Sequence, residues 1–182
     1  MCLTIYTENS KEIKADIAET DITCYKVLKA SRTLYTTNNH LIWFETPYTG
    51  FLMKLGKTYT DKAKVKREYN KDDECLNIGE GVFHSFKFFE DAISEVEEWA
   101  EGGVVVECTI PKGTKMYEGF FDDSECYGSK KIKVGTKICY VASWLIGEDD
   151  VLAKALVQDY GFEFTKVPER EREDLPREYA EW

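Results

Sequence analysis

The stretch that most constrains this chain covers residues 78–140 and reads as strand, turn, helix, strand, loop, strand. The helix is predicted to begin near Ser85, whose hydroxyl suits an N-cap, and to stop at Gly102-Gly103. Between these signals Phe89, Ala92, Ile93, Val96, Trp99 and Ala100 recur at three-and-four spacing and give one apolar face, which must pack on a sheet. Val104-Val105-Val106 then reads as one strand and residues 131–140 as another.

The rest of the chain supplies the sheet. Residues 1–7 alternate well enough to be a strand. In residues 21–29, Ile22, Cys24, Lys26 and Leu28 share one face while Thr23, Tyr25 and Val27 share the other, a pattern that fits an interior strand. Short β-type runs at 34–37, 41–45, 51–54 and 57–60 are separated by Asn38-Asn39, Pro47 and Gly50 and predict an antiparallel meander. The basic run at 62–70 reads as a solvated edge strand, where lysines discourage pairing with another chain. Residues 148–160 predict a second helix, with Asp149 and Asp150 at its positive end, Leu152, Ala155 and Leu156 as its stripe, and Gly161 as its stop. The expected architecture is a single α+β domain over residues 1–165, a bent, mainly antiparallel sheet with two main helices, followed by a charged tail at 166–182.

Composition narrows the function classes. With 182 residues, 43% of them hydrophobic and 14% aromatic, the chain is long and apolar enough to bury its own core. A formal net charge of −10 provides no field to draw it onto a nucleic-acid backbone, and favours a basic protein partner or serves solubility alone. Cysteines at 2, 24, 75, 108, 126 and 139 form no C-x-x-C pair, and no signal peptide precedes them, so reduced thiols in a cytoplasmic protein are expected. No apolar run approaches the roughly 18 residues a membrane span needs.

Gly81-Val82-Phe83, the helix carrying Ala92, and Val104-Val105-Val106 resemble the second half of ADP-ribosyltransferase domains. Ile110-Pro111-Lys112-Gly113-Thr114, a loop, and residues 131–138 are similar to the closing strands of bacterial toxin members. The resemblance covers about a third of the chain and implies an NAD-using enzyme on an ADP-ribosyltransferase-like fold. Such enzymes need a glutamate at the start of the last strands, where this chain reads Gly128-Ser129-Lys130-Lys131. A cation there opposes the positive charge that develops on the ribose. Glu118 and Glu125 are the substitutes within the nearby loop. The opening Met-Cys-Leu, Asp21-Ile22, Tyr25-Lys26-Val27 and the Gly-x-Gly-x-x-His-Ser-Phe at 79–86 resemble a family of small uncharacterised bacteriophage and bacterial proteins, which implies an accessory or counter-defence role.

The residues themselves offer three classes of site. His84 stands at a predicted strand-to-helix junction, where free N–H groups can meet an anion, and a pocket of His84, Ser85, Tyr127, Ser129 and Lys131 would suit a nucleotide-like ligand. Glu97, Glu98 and Glu101, with Asp122 and Asp123 of the acidic loop, would form a docking face for a basic protein. Cys2, if exposed by removal of Met1, would be a nucleophile with its own α-amine as base, as in N-terminal nucleophile hydrolases. Leu3 follows where amidotransferases of that type carry glycine. Walker loops, nucleophile elbows and H-E-x-x-H are absent from the sequence, and no metal site or resident cofactor is expected. The preferred expectation is a small binding or inhibitory protein that occupies a partner surface or sequesters a nucleotide-like ligand.

Overall fold

The computed structural model describes residues 3–7, 13–36, 39–98, 103–142 and 155–156. Its spine is β3 (Ile22–Thr36), a fifteen-residue strand. The sequence suggested two strands here, but Ala30-Ser31-Arg32 contains no breaker, and the backbone continues through it. One half of β3 pairs with β10 (Gly103–Ile110), from Ile22↔Ile110 to Lys29↔Gly103. The other half pairs with β4 (Asn39–Glu45), which in turn pairs with β5 (Leu52–Met53). The meander expected there holds through β5, whereas β6 (Thr58–Thr60) leaves it to pair with β13 (Lys131–Val141).

On the far side of β3 stand β9 (Phe83–Phe86), β12 (Ser124–Ser129) and β11 (Lys115–Phe121). They are followed by β1 (Leu3–Tyr6), β8 (Cys75–Ile78) and β7 (Arg67–Asn70). The short β2 (Asp16–Ile17) pairs with β11. The full order is β6, β13, β10, β3, β9, β12, β11, β1, β8, β7, and the pairings are antiparallel. As the basic run predicted, β7 lies at an edge.

Two halves of this sheet meet at β3 and β9, which share a single register pair, Tyr25↔Phe86. The chain crosses between the halves again where β12 runs through Lys130 into β13. Beyond Tyr25 and Phe86 the two strands part, and that fork positions the site described below.

The described helix, α1 (Phe89–Glu98), packs on β3 and β10, burying Ala92 and Val96 and setting Phe89 against Tyr25 with ring centroids 5.2 Å apart. It begins four residues later than Ser85, because residues 83–86 pair with β12 and their backbone is committed to the sheet. Of the second expected helix, only Ala155 and Leu156 lie within the described residues; both are helical, and Leu156 is fully buried. One helix, not two, is therefore described. The tail at 166–182 lies outside the described residues. The core is continuous, joining Leu28, Val104, Val105 and Val106 of the central strands to Leu3, Ile78 and Met116 of the far half and Ile132 and Ile138 of β13.

Candidate functional site

The fork between β3 and β9 opens into a cavity of about 680 Å³ with a mostly apolar wall. That volume falls within the roughly 300–1,000 Å³ usual for small-molecule sites. Lys26 and Val27 of β3 form one side, Phe83, His84 and Phe86 of β9 the other, and residues of the 46–51 turn add to the lining. Gly79, Glu80 and Gly81 line its rim. Gly81 has φ of 85°, and a Cβ there would lie 2.6 Å from the Lys64 carbonyl, so only glycine lets this rim close against the 63–66 loop.

Lys26 is the unusual wall residue. Its side chain shares a face with Cys24 and Leu28 and is only 6% exposed, while its Nζ donates a 2.6 Å hydrogen bond to the His84 carbonyl. This bond spans the gap that the parted strands leave. An ammonium carries three donors, and among the described residues no carboxylate pairs with this one. Burial pushes the Lys26 pKa below that of an ordinary lysine, because a desolvated cation without a counter-charge is disfavoured.

His84 lines the same cavity. Its Nε2 lies 3.1 Å from the Ile78 carbonyl, and since a carbonyl only accepts, Nε2 carries the proton and Nδ1 keeps its lone pair. Burial holds the imidazole down to about 4, so the ring is neutral at pH 7. His84 is thus a hydrogen-bonding wall residue in neutral form. Lys62 and Lys66 add cations to the wall, and Asp61, Glu68 and Glu80 add carboxylates. Lys66 reaches Glu68 at 3.4 Å.

The other expected pocket residues lie apart from this wall. Ser85 and Ser129 are buried, and neither hydroxyl has an oxygen or nitrogen hydrogen-bond partner among the described residues, although the Cys24 thiol lies beside Ser85. Tyr127 stands opposite Ser85 across the β9–β12 ladder. Lys131 is exposed at the start of β13, where it pairs with Thr60, a cavity residue, and so reaches only the periphery. Of the five expected ligand residues, His84 alone lines the cavity. The expected helix N-terminus is absent beside it, because α1 begins at Phe89.

Lys130, one of the two lysines in the stretch where the ADP-ribosyltransferase resemblance implies a glutamate, has a structural task. Its Nζ donates to the carbonyls of Ala63 at 2.7 Å and Gly81 at 2.6 Å, and approaches Asp61 at 3.9 Å. It thereby ties both rim segments to the β12–β13 junction. Glu125 and Glu118 lie 2.7 and 3.9 Å from Lys87, outside the cavity wall.

Nor are all the acidic docking residues free. Glu97 accepts a 2.6 Å hydrogen bond from the Tyr140 hydroxyl; Glu95, beside these residues on α1, accepts one of 2.6 Å from Tyr48 of the cavity lining. Glu98 is exposed on α1, while Asp122 and Asp123 form the exposed turn of the β11–β12 hairpin, with Asp122 at φ of 49°. Cys2 and Glu101 lie outside the described residues. Burial pushes the Cys24 thiol up to about 11 and those of Cys108 and Cys126 up to about 12, so these are protonated core residues rather than nucleophiles.

Among the described residues no three His, Cys, Asp or Glu side chains gather as metal ligands, and no helix is long and apolar enough to cross a membrane. Comparison with known proteins finds no matching family model, no similar curated protein and no similar solved structure. Lys26 is the cavity's principal residue, and sequence reading missed it as a site. Its signal was a lysine placed between Cys24 and Leu28 on an otherwise apolar strand face.

Proposed function

We propose that this protein binds a small anionic, nucleotide-like ligand in the cavity between β3 and β9 and sequesters it there. The observation that carries this reading is Lys26, a buried lysine on a ligand-sized cavity wall with no carboxylate partner among the described residues. Burying such a group costs stability unless something pairs with it. A phosphate or carboxylate provides that counter-charge, while Phe51 and Phe83 offer apolar faces to a base or ring. Sequestration of this kind fits an accessory or counter-defence role.

Two observations favour this over docking by α1 or NAD chemistry. Glu95 and Glu97 are held by tyrosines, and Glu118 and Glu125 face Lys87.

The test is thermal unfolding against NAD, ADP-ribose, cyclic nucleotides and mononucleotides, with mass analysis of each mixture. A true ligand at a hundredfold excess over its dissociation constant stabilises by about 2.7 kcal/mol, a rise of roughly 5–10 °C for a chain of this size. Lys26→Met is expected to abolish that rise while itself melting a few degrees above the native protein, because it removes an unpaired buried amine. The reading fails if no compound raises the midpoint or if the rise survives in Lys26→Met. Release of nicotinamide from NAD would instead support the transferase alternative.

A further inference from the structure

We propose that Lys26 is a nucleophilic amine and that the cavity accepts a small anionic carbonyl compound, a 2-oxo acid or an aldehyde acid, which Lys26 holds as a reversible imine. This inference rests on the cavity being a ligand site, as proposed above, but not on the ligand being a nucleotide.

The geometry carries it. The Lys26 amine is buried, yet its side chain forms part of a cavity wall. One N–H is given to the His84 carbonyl at 2.6 Å, which fixes the nitrogen without neutralising a charge. A backbone carbonyl accepts a hydrogen bond from a neutral amine as well as, more strongly, from an ammonium, so this contact does not require the charged form. In the neutral form the nitrogen keeps its lone pair, the electrons that attack a carbonyl carbon. Burial moves the balance toward that form, since it lowers the lysine's affinity for its third proton. Desolvation in an apolar pocket is an established way to activate a lysine for imine chemistry.

The step balances without an oxidant or a reductant. The lone pair forms a C–N bond while the carbonyl π pair moves onto oxygen, and the proton lost by nitrogen passes to that oxygen to give a carbinolamine. The nitrogen then expels the hydroxyl, which leaves as water after gaining a proton, and the second N–H proton is released as the C=N bond forms. Nδ1 of His84, with Nε2–H committed to Ile78, is an acceptor on the same wall through which such protons can pass. Lys62 is a cation of the lining open to the ligand's carboxylate, while Lys66 is shared with Glu68. Other lysines near this site are engaged differently: Lys130 is held by two carbonyls, and Lys66 lies 3.4 Å from Glu68.

The experiment treats the native protein with glyoxylate and sodium cyanoborohydride between pH 6 and 9, then locates the reduced carboxymethyl adduct by peptide mass mapping. Trapping at Lys26 is expected to be at least about tenfold faster at pH 7 than the mean of the exposed lysines, because a desolvated amine yields its proton more readily than a solvated one. The Lys26 rate should saturate with glyoxylate and rise less steeply with pH than the rate of the exposed lysines. Lys26→Met should lose the fast adduct and keep the slow ones. Adducts spread over the exposed lysines with Lys26 unmodified, or a Lys26 rate that follows theirs across the pH range, would overturn the proposal. If nucleotides stabilise the protein but Lys26 is not trapped, the sequestration reading stands and this one falls. Fast trapping at Lys26 with no nucleotide stabilisation supports the imine and removes the nucleotide as the cavity's ligand.

Discussion

His84 shows how one buried residue sets a pH dependence. Its ring is held down to about 4 by burial, whereas in the unfolded chain it titrates near 6.5. As the pH falls, the unfolded state binds a proton first. The stability that comes from keeping this ring neutral is therefore whole above pH 6.5 and lost as the pH drops toward 4, on the order of 3 kcal/mol across the window. His84→Gln can still donate an N–H to the Ile78 carbonyl but does not titrate. Its stability, measured by urea unfolding at successive pH values, is expected to fall less steeply than that of the native protein between pH 6.5 and 4. Equal slopes would show that the imidazole is not kept neutral by the fold. The residue's chemistry was legible in the sequence, because one of only two histidines stood beside a glycine pair and a strand. Its neighbour Lys26 was legible as a pattern break but not as a site, since nothing local tells an edge lysine from one that faces a fork opened by a strand 58 positions away.

At the scale of elements, α1 is held more by its surroundings than by its own ends. Glu90 and Asp91 suit the first turn, but no basic residue occupies the last, so the helix dipole is uncompensated there. Tyr140 from β13 and Tyr48 from the cavity turn donate to Glu97 and Glu95 instead. Gly103, expected as part of a helix stop signal, has a packing role at the first position of β10. A Cβ there would sit 1.8 Å from Val96 Cγ2, so the helix approaches the strand more closely than any side chain permits. Gly103→Ala is expected to force α1 outward and to cost about 1–3 kcal/mol, read from chemical denaturation. A neutral result would mean that Val96 can turn aside without moving the helix. The strand runs and the apolar helix face were readable because their periods are local. The start of α1 was not, since Ser85 looks like a cap until β12 claims its backbone. The departure of β6 to pair with β13 was equally hidden, because pairing between strands some seventy residues apart leaves no mark on either one.

For the whole molecule, the decisive fact is that β1 lies inside the sheet, between β11 and β8, rather than at an edge. The far half therefore cannot be completed until segments widely separated in sequence have met, and folding on the millisecond-to-second scale follows from such non-local pairing. Leu3 is the pin of this assembly. It is fully buried, pairs with Ile78, and limits the space beside Gly119 and Gly128 of the β11–β12 hairpin. Leu3→Ala is expected to cost about 2–5 kcal/mol by leaving a void among three strands. How that loss is distributed tests whether the fork divides the molecule. The halves are linked by Tyr25↔Phe86, by the chain crossing at Lys130, and by one continuous core, so they should unfold together. Far-ultraviolet circular dichroism and tyrosine and tryptophan fluorescence should then report one coincident transition in Leu3→Ala, shifted as a whole. Separated transitions, with amides of Val104–Val106 in β10 still protected from hydrogen exchange after the far half has melted, would instead make the fork a hinge between two units. In that case a ligand in the cavity would gain by holding them together, and occupancy would restore the single transition.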